Sequence, residues 1–126
     1  MMLEQLVRAV RDSEPISTDW GELRWLVSGT LTPGALQTFG IVRIDPGQAN
    51  PLHAHPNCEE LLYVLSGACR HRLGDAEVEL EAGQLIRIPA GIPHRARCTS
   101  EEPLVAAISF SSATRETVTA TDQSVL

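Results

Sequence analysis

Apolar positions in this chain alternate far more often than they recur at helical spacing. The helical period appears once, at the start. Leu3, Leu6, Val7 and Val10 fall on one side of an amphipathic helix predicted over residues 3–12. After Pro15 the period drops to two, and Leu23, Trp25 and Val27 share one face of a strand that begins at Glu22. Further strands are expected at 35–44, 60–66, 68–73, 76–80, 84–89, 94–98 and 103–110. Turn signals separate them: Thr32-Pro33-Gly34, Asp45-Pro46-Gly47, Ser66-Gly67, Gly74-Asp75, Ala82-Gly83 and Ala90-Gly91. Many short strands with no second helix predict an all-β sandwich or small barrel. The Ser- and Thr-rich stretch 111–126 is expected to be a loosely ordered tail. That leaves a core barrel at about 20–110 within a single domain spanning 1–126.

One hairpin is legible residue by residue. A two-residue turn at Gly74-Asp75 pairs Leu73 with Ala76, Arg72 with Glu77, His71 with Val78 and Arg70 with Glu79. Opposite charges then face each other on one side, while Cys69, His71, Leu73, Val78 and Leu80 share the other. Charge and hydrophobicity select the same register.

Composition narrows the function classes. The formal charge is −6 and all ten cationic side chains are Arg, which gives no basic footprint for nucleic acid or an anionic membrane. Neither is expected as a partner. The three cysteines, Cys58, Cys69 and Cys98, form no CxxC pair and no even set, which points to a reducing compartment. The charged N-terminal stretch lacks the apolar core of a signal peptide, so a cytoplasmic location is expected.

Candidate chemistry centres on the histidines, of which there are four. In extended chain His53 and His55 point the same way, and Glu59 or Glu60 and His94 can be returned to them by later strands. Three neutral imidazoles and one carboxylate suit a divalent transition metal and leave coordination positions open.

The spacing of these residues resembles the cupin family. Its first motif is matched by Gly47, His53, His55, Glu60 and Gly67, and its second by Gly83, Pro89, Gly91 and His94. The second motif's final Asn is replaced by Cys98. The resemblance selects Glu60 over Glu59, and strand parity agrees: Glu60, Leu62 and Val64 turn inward together. It implies a double-stranded β-helix (a jelly-roll barrel) after a short N-terminal helix, with His53, His55, Glu60 and His94 holding one Mn, Fe, Ni, Co or Zn ion. Leu62, Val64, His71 and Cys98 are candidates for the pocket wall, with His71 read first as a core histidine. Cys58 is expected to be an incidental loop thiol. Arg43, Arg87, Arg95 and Arg97 are read mainly as solvated surface, with carboxylate clamping as the alternative.

The function expected from this resemblance is a mononuclear metal-dependent enzyme acting on a small oxygen-rich metabolite, of dioxygenase or isomerase/lyase type. The alternative is a non-catalytic module that binds a small molecule, since the fold hosts both. No general acid or base announces itself. Trp25 on the strand Leu23–Val27 is expected to contribute to a homodimer interface.

Overall fold

The structure, a computed structural model, describes residues 3–120. Its strands are β1 (Pro15–Ser17), β2 (Gly21–Val27), β3 (Thr38–Ile44), β4 (His53–Ala54), β5 (Glu60–Ser66) and β6 (Ala68–Leu73). They continue as β7 (Ala76–Glu81), β8 (Leu85–Ile88), β9 (His94–Cys98), β10 (Leu104–Phe110) and β11 (Val118–Thr119). Two antiparallel sheets result, in the orders β1-β2-β3-β10-β5-β8 and β11-β4-β9-β6-β7. The alternating pattern predicted an all-β sandwich or small barrel, and the family resemblance implied the jelly-roll arrangement found here.

Period-two burial shows why these segments are strands. In β3 and β10 every second residue is buried, and β5 buries Glu60, Leu62 and Val64 while turning Leu61, Tyr63 and Leu65 outward. Ile44, Ile88, Leu104, Val64, Cys69 and Cys98 are, with His71, the largest fully buried side chains. The hairpin β6–β7 has the expected register, with Arg70 opposite Glu79 and Arg72 opposite Glu77. Arg70 bridges to both Glu77 (3.4 Å) and Glu79 (3.3 Å). Val78, expected on the inner face, is instead 45% exposed, because β7 is the outer strand of its sheet and only Leu80 reaches the core from it.

Glycine matters at two places for the site. Gly67, at φ +76°, turns β5 into β6 where an added Cβ would lie 2.4 Å from the Pro103 carbonyl oxygen. At Gly40 a Cβ would lie 2.5 Å from the Trp25 ring, so its absence lets the indole lie flat across β3.

Two local expectations do not hold. The helix over 3–12 is replaced by two 3-10 turns, Leu3–Leu6 and Val10–Asp12, and Leu3, Leu6 and Val7 are largely exposed. An amphipathic stretch this short is marginal without an apolar surface to pack on. Residues 111–120 are not a loose tail either. They fold back as a strap, with β11 pairing onto β4 and the Ala120 amide donating to the Leu52 carbonyl. Asn57 clamps the strap from both sides, donating to the Thr114 carbonyl and accepting from the Glu116 amide. The remaining tail, 121–126, lies outside the described residues.

Candidate metal centre

The two sheets enclose a cavity of about 190 Å³. His53 and His55 enter from β4 and the residue after it, Glu60 from the start of β5, and His94 from the start of β9. His53 and His94 face each other as cross-strand partners, so their proximity follows from register. One ligand atom from each of the four residues lies within 4.8 Å of every other, and such a group can hold a metal ion.

The outer hydrogen bonds decide what the imidazoles present to the centre. His53 Nδ1 donates to the Pro51 carbonyl (2.7 Å), His94 Nδ1 to the Ile92 carbonyl (2.8 Å) and His55 Nδ1 to the Glu116 carbonyl (2.9 Å). A carbonyl oxygen can only accept, so Nδ1 is the protonated nitrogen in each neutral ring. Three Nε2 lone pairs are thereby turned inward, the tautomer that metal ligation requires. The Gly91 amide donates to the His55 carbonyl (2.9 Å) and ties the loop before His94 to the His53–His55 segment.

The centre is polar and inadequately satisfied by protein alone. His94 Nε2 lies 3.1 Å and His55 Nε2 3.2 Å from the same Glu60 oxygen. The His55 contact is close without hydrogen-bond geometry, and its buried Nε2 has no hydrogen-bond partner. Acceptors facing acceptors in a buried pocket are costly, and a cation between them resolves the conflict. The donor set therefore fits a divalent metal.

Electrostatics agree. Burial, reinforced by His94, lowers His53 to a pKa of about 4, which keeps the ring neutral. Burial alone would raise the Glu60 carboxyl, but contacts in which His55 and His94 act as donors outweigh that and bring it to about 2, so the anion calls for positive charge on the Nε2 side, a proton or a metal ion. His71 is 1% exposed, stacks on His94 with ring centroids 6.0 Å apart, and is likewise lowered to about 4, chiefly by burial.

The wall differs in part from the sequence expectation. Leu62 and His71 line the cavity as expected, but Val64 and Cys98 do not. Both point inward by parity yet sit deeper in the core, and the Cys98 thiol faces the Glu102 carbonyl at 3.4 Å. Cys58 is a buried core residue, and burial pushes its thiol pKa up. Trp25 is committed within the chain, packed edge-on to Phe110 and under the Arg115 guanidinium (4.2 Å to the ring centroid). Arg43 pairs with Asp45, Arg87 pairs with Glu59, and Arg97 donates to the Gly47 carbonyl. None of them, nor Arg95, lines the cavity. The cationic side chain that does is Arg115, and with it Thr117 and Thr119 from the strap. No sequence signal pointed to these, because a Ser/Thr-rich stretch carries neither period nor motif.

Fold and centre together define a jelly-roll barrel with a three-histidine, one-carboxylate site inside it. The chain belongs to the Cupin domain family, whose match covers residues 40–110. Among curated proteins it is 37% identical to SchB of Streptomyces halstedii over 79% of this chain and 74% of that protein. It is 34% identical to the polyketide synthase CurC of Streptomyces cyaneus, over 74% of this chain and 60% of that one. In fold it is similar to the oxalate decarboxylase of Lactobacillus farciminis in its formate complex. The TM-score there is 0.80 and the identity 23%, with 86% of this chain and 34% of that chain covered.

Proposed function

We propose that the chain binds one divalent transition metal through His53, His55, Glu60 and His94 and uses it to act on a small molecule that coordinates through oxygen. The observation that carries this reading is the outward commitment of all three Nδ1–H groups, which leaves three Nε2 lone pairs converging on an anionic carboxylate. Mn, Fe, Ni, Co and Zn are all compatible with that donor set. When bound, the ion would polarise a carbonyl, carboxylate or enolate oxygen. The chain's own residues would orient that ligand against an apolar wall and exclude water. Turnover of dioxygenase, isomerase or lyase type is the first reading.

A second reading, a pocket that binds without turnover, is favoured by one observation. His71, the wall imidazole outside the ligand set, has a pKa near 4, too low for an efficient general base at neutral pH. The polyketide synthase name of one relative adds phenolic and polyketide-like compounds to carboxylic acids as probes. We also propose that the protein is a cytoplasmic homodimer. Its three described cysteines are free, and Leu61, Tyr63, Leu65 and Leu85 leave apolar surface on β5 and β8. No helix among the described residues is long and apolar enough to cross a membrane.

The test is metal titration with elemental analysis, followed by a substrate panel under air and under nitrogen. One metal per chain is expected, with His94→Ala weakening uptake by more than about a hundredfold while the barrel stays folded. No uptake by the wild-type protein would end the metal reading. Saturable ligand binding without product under either gas would select the binding module.

A further inference from the structure

The cavity wall is unusually apolar for a site read as binding oxygen-rich molecules. Trp20, Leu23, Val42, Leu62, Ile108 and Phe110 form much of it. A sugar would bring hydroxyls that need partners, and of the polar side chains there Asn50 already accepts from the Ala96 amide. At about 190 Å³ the space is somewhat larger than the ~150 Å³ engineered cavity that holds benzene, so it admits one ring with small substituents.

Into this wall the strap delivers one cation. Arg115 lies over the Trp25 ring at 4.2 Å and beside Phe110 at 5.2 Å, and its Nη1 donates to the Thr117 hydroxyl (2.9 Å). Its Nε–H is buried and has no acceptor. Among the described residues no carboxylate lies within ion-pair distance of the guanidinium. Stacking on the aromatic rings explains where Arg115 sits, but it does not satisfy that donor. Nε with the adjacent Nη2 forms the side-on fork that grips a carboxylate through two parallel hydrogen bonds. Arg115 also lines a second cavity, which shares Trp25 with the first.

We infer that Arg115 anchors the anionic end of a small acid with an apolar, single-ring body, whose remaining oxygen reaches the four-residue centre. The inference deepens the proposed function and rests on its reading of the cavity as the ligand site. The Arg115 contact itself does not require the metal.

Benzoate and benzyl alcohol, which share a ring and differ in charge, are the probes, with glucuronate as an acid of polar body. Each is titrated into the metal-free and the metal-supplemented full chain, in wild type, Arg115→Gln and Arg115→Lys. The readout is affinity, together with the side-chain 15Nε signal of Arg115. Benzoate should bind both preparations of wild type, and Arg115→Gln should weaken it by about tenfold or more while changing benzyl alcohol less than about twofold. The wild-type Nε signal should move with benzoate and not with benzyl alcohol, an outcome independent of whether a variant folds. Equal affinity for benzoate in wild type and Arg115→Gln, an unmoved Nε signal, or no benzoate binding would overturn the inference. Glucuronate binding as tightly as benzoate would overturn the apolar-body part. Loss of metal uptake with Arg115-dependent benzoate binding intact would remove the metal reading and leave this one standing.

Discussion

Protonation of His71 should govern much of the protein's acid sensitivity in its metal-free form. The ring is 1% exposed, its Nδ1 has no hydrogen-bond partner, and its pKa is about 4 against the ordinary 6.5. The unfolded chain therefore binds this proton more readily than the folded one. The corresponding stability is present above about pH 6.5 and is lost progressively as pH falls towards 4. Between pH 7 and pH 5 the linkage relation gives a loss of about 2 kcal/mol from this residue alone. The Glu60 carboxyl, with a pKa of about 2 when folded and 4.5 when not, titrates below that window. His53 adds a loss of the same sign, discounted for its partial exposure, but it is common to wild type and variant. Phe at position 71 removes the titration and the unpaired nitrogen, and the adjoining cavity gives the larger ring room. Urea unfolding of metal-free wild type and His71→Phe at both pH values provides the measurement. The variant should lose about 2 kcal/mol less between pH 7 and pH 5. Equal losses would refute the assignment of a buried neutral imidazole at this position.

Other consequences are simpler to state. Truncation after Ser112 removes the Glu116 carbonyl that orients His55, and metal affinity should fall about 10- to 100-fold in a chain that circular dichroism still shows to be folded. Unchanged affinity would mean that the strap does not set the His55 tautomer. Gly67→Ala forces a Cβ at φ +76° to 2.4 Å from the Pro103 oxygen and should cost at least about 1–3 kcal/mol in thermal unfolding. Arg70→Ala removes exposed ion pairs to Glu77 and Glu79 and should cost only about 0.2–1 kcal/mol in the same assay. Sedimentation equilibrium at micromolar concentration should show a dimer, and monomer alone would exclude the homodimer.

How much of this was written in the sequence depends on how local each feature is. Alternation is a property of neighbouring residues, so it marked eight strands, the Arg70–Glu79 register and the inward turn of Glu60. His53 and His55 share a direction because two residues of extended chain restore it. The resemblance to the cupin family, carried by both motifs, was what gathered the four candidate ligands. What packing decides was not legible there. The apolar face of residues 3–12 has the helical period but finds no surface to cover, and nothing in the period reports that. Val64 and Cys98 have the correct parity but lie too deep for the cavity, since parity gives direction and not depth. The strap was the largest omission. Glu116 meets His55 across 61 positions, and Arg115 reaches Trp25 from the far end of the chain. Contacts that distant in the chain leave no local pattern, and only the closed tertiary structure brings a Ser/Thr-rich segment over the site and turns its one arginine into the wall.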